Sequence, residues 1–324
     1  MKKWTYYTII ILILAAISIT FGVFIAQTNA TRGSVNVTLI VKSQQKGFEF
    51  WELVKKGAQE AAKEFNVTLT IDGPMTEEDT QGQIDIVEKS IAGKPDVIIL
   101  AAVDQDKLLS YAKEIKQKGI RLIVVDSSLK EKVEDCFVGT DNYAAAQSVG
   151  DAMGKAMGGK GKIALIAHQM NTSTSIQRLA GFEYSMKNFP GIQITEPYDI
   201  GDSAQKSRDT TIRLLKEQPD ITGIFATNQI SAEGVTAALQ EMGKGDIKFY
   251  AFDSSTIQND ALEKGIVDGF AVQRPFYMGY KSVEAAVDAY SGALRKTTID
   301  TGFDFVTKDM MRNEEIQKLI YPFV

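Results

Sequence analysis

The chain predicts an α/β fold of two similar lobes, each a parallel β-sheet flanked by helices. Three observations lead there. Short apolar, β-branched runs alternate with amphipathic segments along most of the chain. The alternation runs through once and then begins again near residue 144. The 324 residues also exceed what one hydrophobic core usually carries. Strands alternating with helices of this length imply right-handed βαβ units.

The first pass starts at residues 34–42, whose run VNVTLIV reads as a buried strand. Residues 50–65 read as a helix, with Leu53, Val54, Gly57, Ala58 and Ala61 on one stripe. A strand at 67–72, a helix at 77–92, a strand at 95–103 and a helix at 106–118 follow. Strands at 121–126 and 135–140 close the pass. The second pass runs helix 144–157, strand 161–168, helix 176–188, strand 192–197 and helix 204–217. It continues with strand 223–228, helix 231–242, strand 247–253, helix 258–264 and strand 268–273. A long helix at 277–294 ends it.

The N-terminus is a separate signal. Lys2 and Lys3 precede an uncharged apolar run at 6–26. That length suits a membrane span, with the lysines inside and the body exported. Residues 1–30 are therefore expected to be a transmembrane anchor; a cleaved secretory signal is the competing reading. Either places the body outside the cytoplasm, with the segment 27–34 as a polar tether.

Composition narrows the function. Apolar residues make up 44% and charged residues 24%, as in a folded globular body. The net charge of -5 argues against a nucleic-acid surface, which needs an excess of cations. Single residues of histidine (His168) and cysteine (Cys136) leave little for a catalytic pair or metal centre. No catalytic residue, metal or cofactor is expected. Gly158–Lys162 lacks the spacing of a phosphate loop and precedes a strand, so it reads as a turn.

In open α/β sheets, ligands bind beyond the carboxyl ends of the strands. Those ends are polar here: LIVVDSS at 122–128, FVGTDN at 137–142, IFATNQ at 224–229, FYAFDSS at 249–255 and FAVQRP at 270–275. With FEFWELVKKGAQEAA at 48–62 and QRLAGF at 177–182, the set resembles the ribose/galactose-type (type I) periplasmic binding proteins. The resemblance runs along nearly the whole chain after residue 34. It implies two lobes joined by a three-strand hinge, with crossovers near 139–142, 268–274 and 302–306. The first lobe would hold 34–140 and 274–303, the second 141–273 and 304–324.

The resemblance also implies ligand contacts. Phe50 and Trp51 match an aromatic pair suited to the C–H face of a sugar ring. Asp126 and Asp253 match strand-end carboxylates that accept from paired hydroxyls. Asn228 and Gln273 match amides that both donate and accept. Phe252 matches a second cleft aromatic, and Arg178 an arginine whose first reading is structural or at the rim. Plainer roles stand beside these: Asp126, Asp253 and Asn228 as helix caps, Gln273 as a hinge residue, Asp141–Asn142 as hinge turn and cap. His168 reads as a strand-end residue near the cleft.

Departures from the family pattern shape the expectation. Phe48 stands where an asparagine is common, and Ser127 and Ile176 where arginines are. These losses predict a less charged, more apolar pocket, with Gln44, Gln45, Lys46 and Gln169 as replacement donors. The expected function is a receptor closing on a small polar solute, a monosaccharide first, and passing it to an ABC importer permease. The alternative is a membrane-tethered sensor signalling to a membrane histidine kinase or chemoreceptor.

Overall fold

The computed structural model describes residues 34–322. Its chain order starts with β1 (Val35–Ile40), α1 (Glu49–Glu64), β2 (Val67–Asp72), α2 (Thr80–Ala92) and β3 (Val97–Leu100). Then come α3 (Leu109–Gln117), β4 (Arg121–Val125) and β5 (Cys136–Gly139). The second series is α4 (Asn142–Ala156), β6 (Lys160–Ala167), α5 (Ser173–Met186), β7 (Gly191–Asp199), α6 (Ala204–Glu217) and β8 (Gly223–Ala226). It goes on through α7 (Gln229–Met242), β9 (Lys248–Phe252), α8 (Thr256–Lys264) and β10 (Gly269–Gln273). The tail holds α9 (Pro275–Ser291), β11 (Thr298–Asp300), β12 (Phe303–Thr307), a 3-10 turn (Lys308–Arg312) and α10 (Glu314–Ile320).

These elements form two six-stranded sheets, ordered β11-β5-β4-β3-β1-β2 and β12-β10-β9-β8-β6-β7. The two orders correspond strand for strand. In each, the order reverses beside the first strand of the series, which opens a crevice at the carboxyl ends. The middle strands are apolar on both faces because helices cover both faces; VIIL in β3 and GIFA in β8 are buried throughout. One lobe packs Ile98, Leu100, Leu122 and Val124 against α2 and α3. The other packs Leu165, Phe182, Phe225 and Phe252, with the Phe182 and Phe225 rings stacked 4.2 Å apart.

The tail is where the strand reading falls short. The segment after residue 294 carries no apolar run long enough to mark a strand, yet β11 extends the first sheet in parallel beside β5. β12 pairs with β10 antiparallel, so the second sheet is mixed. Its Phe303 and Phe305 pack on the second core, and that packing, not local propensity, makes it a strand.

The chain changes sheets between β5 and α4, between β10 and α9, and between β11 and β12. The crossings are tied together. The Thr140 hydroxyl donates to the Gly302 carbonyl at 3.4 Å, and Arg274 pairs with Asp304 at 3.0 Å. The apolar run at 6–26, expected to be a membrane anchor, lies outside the described residues. Among the described residues no helix is long and apolar enough to cross a membrane.

Helices α1 and α9 cross backbone to backbone. A Cβ at Gly57 would fall on the Phe276 carbonyl oxygen, and one at Gly279 on the Val54 carbonyl oxygen. Only glycine permits this approach, so Gly279→Ala is expected to cost about 1–3 kcal/mol through overpacking. A calorimetric melt should show the loss as a fall of several degrees in Tm.

Candidate functional site

The carboxyl ends of the two sheets face each other across a closed cleft. Between them lies a cavity of about 20 Å³ lined by Lys42, Phe48, Phe50, Trp51, Glu77, Asp126, His168, Thr174, Arg178, Asn228, Asp253 and Gln273. Drug-sized ligands fill pockets of roughly 300–1,000 Å³, so the lobes here are closed nearly onto one another, with room for about one water. The rim is latched by bonds between lobes. Gln229 accepts from the Phe50 amide at 3.3 Å and donates to the Gly47 carbonyl at 3.3 Å. Thr256 N–H donates to Glu49 at 3.0 Å, and Asn171 donates to Asp104 at 2.9 Å.

The first lobe contributes a buried charge cluster. Lys42 lies two residues past the end of β1 and is 3% exposed. Its ammonium lies 2.9 Å from Asp126 and 3.6 Å from Glu77, and donates to the Ser127 hydroxyl at 3.0 Å. Burial opposes the ammonium charge, but the Asp126 and Glu77 carboxylates outweigh it and hold Lys42 above its ordinary pKa. Burial pushes the Glu77 carboxyl up, against the pull of Lys42 and of the Trp51 indole. That indole N–H donates to Glu77 at 2.7 Å. Trp51 meets Phe50 edge-on at 5.0 Å, so the aromatic pair is held from two sides.

The second lobe is organised by Arg178 on α5, 2% exposed. Its guanidinium donates to Asn142 at 2.8 Å and to the Thr227 carbonyl at 2.7 Å, and stands 3.7 Å from Asp253. It also lies over the Phe252 ring at 4.3 Å. Gln273 donates to Asp253 at 2.7 Å, which leaves the Gln273 carbonyl oxygen buried without a partner among the described residues. Burial raises the Asp253 carboxyl despite Arg178 and Gln273. His168 sits between Thr227 and Thr174 at 2.7 and 3.2 Å. Burial first, then the Arg178 and Lys42 charges, hold it well below its ordinary pKa, so its imidazole is neutral.

Seven of the eight expected contact residues therefore line one cavity: Phe50, Trp51, Asp126, Arg178, Asn228, Asp253 and Gln273. Phe252 does not. It is fully buried in the second core beneath Arg178, because alternation along β9 turns it away from the cleft. Arg178 is not at the rim; it is buried at the cavity wall. Asn228 is both cap and wall, since its side chain accepts the Ser231 amide in a capping box at the start of α7 while it faces the cavity. Asp126 and Asp253 adopt left-handed backbone, with φ of 62° and 67°, and neither caps a helix that follows it. Asp253 instead accepts the Gln229 amide.

The expectation of a less charged pocket is corrected. Two cations, Lys42 and Arg178, and three carboxyl groups, Glu77, Asp126 and Asp253, line the space. Lys42 supplies a cation beside Asp126, although Ser127 stands where an arginine was expected. The strand-end rule that selected Asp126 also selects Lys42, which follows the run VTLIV of β1. Glu77 comes from an irregular loop and carries no periodic signal. The expected replacement donors are not among the residues lining the cavity: Gln44 accepts from Lys55, and Gln169 is buried with its oxygen unpartnered among the described residues.

The family profile described as the periplasmic binding protein domain matches residues 37–294. The D-ribose/D-allose-binding protein of Pseudomonas aeruginosa is 27% identical over 254 residues, 74% of this chain and 79% of its own. A carbohydrate-transporter solute-binding protein of Agrobacterium radiobacter, solved with D-arabinose, superposes with a TM-score of 0.85. It is 29% identical and covers 90% of this chain and 100% of its own. A sugar transporter structure from Clostridium phytofermentans is 34% identical, with a TM-score of 0.79, covering 86% of this chain and 100% of its own.

His168 gives a pH test with a definite sign. The folded state keeps the imidazole neutral while the unfolded chain protonates it below about pH 6.5. Stability is then lost as pH falls below that value, by up to roughly 1.4 kcal/mol per pH unit. His168→Gln should shrink this acid loss in melts between pH 6.5 and 5. As the chain's sole histidine, its ring should show no protonation by NMR across that range while the protein is folded.

Proposed function

The chain belongs to the periplasmic binding protein domain family, and from that premise we propose that it is an extracytoplasmic receptor that closes on a monosaccharide and hands it to an ABC importer. The observation that carries this reading is the cavity wall. Polar groups from both lobes and an aromatic pair surround a space too small for a large ligand. Asp126, Asp253 and the unpartnered Gln273 oxygen accept from hydroxyls, while Asn228 and Arg178 donate. Phe50 and Trp51 meet the apolar face of the ring. Relatives whose names record ribose, allose and arabinose support the choice of solute class.

Lys42 is a positioning residue in this scheme. Its ammonium lies 2.9 Å from Asp126, donates to the Ser127 hydroxyl at 3.0 Å and forms an ion pair with Glu77 at 3.6 Å. Its role is to hold the carboxylates in place. Closure of the lobes about the three crossings would bring the rim latches together and present a new outer surface to the permease. We read the apolar run at 6–26 as the anchor that keeps the receptor beside its membrane partner. Intact mass of the membrane-extracted protein that lacked residues 1–30 would overturn the anchor.

A thermal-shift screen of the full chain against pentoses, hexoses and deoxysugars tests the reading. A bound sugar at about a hundredfold excess over its Kd stabilises by roughly 2.7 kcal/mol, a clear rise in Tm. No shift with any sugar would sink it. Asp126→Ala and Asn228→Ala should each weaken the active sugar by about 1–3 kcal/mol, read by calorimetry. Unchanged affinity in both would remove the proposed contacts.

A further inference from the structure

Asp202 lies outside the cavity, at the cleft mouth, in the turn that leads to α6. Its Oδ2 accepts the Glu77 amide of the opposite lobe at 3.0 Å. Its own amide donates to Glu78 at 3.2 Å. Its Oδ1 is buried and has no hydrogen-bond partner among the described residues. The charged groups acting on it are the carboxyls of Glu77 and Glu78 and the ammonium of Lys42. Behind Glu77 stand Asp126 and Arg178. Lys42 is already committed to Asp126, Ser127 and Glu77, and Arg178 to Asn142, Thr227 and Asp253. No cation in this cluster makes a direct contact with Asp202; across the cleft its carboxylate meets the Glu77 amide and its own amide meets the Glu78 carboxylate, with the Glu77 carboxyl charge nearby.

We propose that closing the lobes on a ligand takes up a proton at the Asp202 carboxyl, so that solute is captured more tightly in mildly acid water than in neutral water. The proposal rests on the receptor reading above. It follows from the geometry: parting the lobes removes the Glu77 and Glu78 contacts and returns Asp202 to water. In the closed form, burial and then the Glu77 carboxyl push Asp202 up to about 7. In the open form an aspartate sits near its ordinary value of about 3.9. Between those values the closed form holds a proton that the open form lacks, so affinity rises as pH falls. The linkage assigns to Asp202 a roughly fivefold gain from pH 7 to pH 6, approaching tenfold per unit below that, from which the opposite contribution of His168 subtracts equally in wild type and in an Asp202 variant.

His168 acts in the opposite sense, because its burial excludes a proton, so the comparison with Asp202→Asn carries the test. Isothermal titration of the full chain with D-ribose, D-allose, D-arabinose and D-fucose, at pH 6 in phosphate and in Bis-Tris, counts protons from the difference in heats. Wild type should take up nearly one proton more per sugar than Asp202→Asn, and gain about fivefold more affinity between pH 7 and 6. Asp202→Ser should behave like Asp202→Asn, and serves if the amide variant misfolds. Equal proton counts in wild type and variants, with sugar still bound, would overturn the proposal and leave the receptor reading standing. No binding of any probe would overturn both.

Discussion

One buried guanidinium organises the second lobe's half of the cavity. Arg178 ties helix α5 to the start of α4 through Asn142, to the end of β8 through Thr227, and to the end of β9 through Asp253. Its planar fork fixes the direction of each bond, which a lysine could not do. A buried charge of this kind adds little net stability, but leaving any partner unpaired is costly. Three separate strand and helix ends are thereby held in one arrangement. Phe252 beneath the guanidinium completes the seat, and this explains an aromatic at a strand end that touches no part of the cleft.

The first lobe meets the same need with different chemistry. Its carboxylate at the end of β4 is paired by an ammonium from the end of β1, and the carboxylate at the end of β9 by a guanidinium from a helix. Each pairing lies within a single lobe, so it does not depend on closure of the cleft. In the receptor role proposed above, a ligand would meet acceptors already oriented, and the ordering of long side chains would not be charged against binding. The lobes differ in what they offer: the first presents mainly acceptors, while the second adds donors at Asn228 and Arg178.

Much of this was legible in the sequence because sheet topology converts strand ends into neighbours. Asp126, Asn228, Asp253 and Gln273 are remote in sequence, yet each follows an apolar run, and parallel sheets bring such ends to one edge. Lys42 obeyed the same rule and was readable by it. Glu77 was not, since an irregular loop places it and nothing in a loop's composition states its direction. The error over pocket charge has a physical source as well. Counting absent arginines at fixed positions assumes that a charge must come from the same residue, whereas an ammonium from a strand end two places along the sheet reaches the same carboxylate. β12 was hidden for the converse reason, because pairing with β10 and packing of Phe305 make it a strand.

Asp126 and Asp253 share one further property: both hold a backbone conformation that side chains other than glycine rarely adopt. Each such residue stores on the order of 1 kcal/mol of strain. Glycine would relieve that strain at either site, but it would leave Lys42 or Arg178 as a buried cation without its carboxylate, at a cost of roughly 3–5 kcal/mol. The ion pair thus outweighs the strain it imposes. Neither position has a single-step route to a sturdier chain.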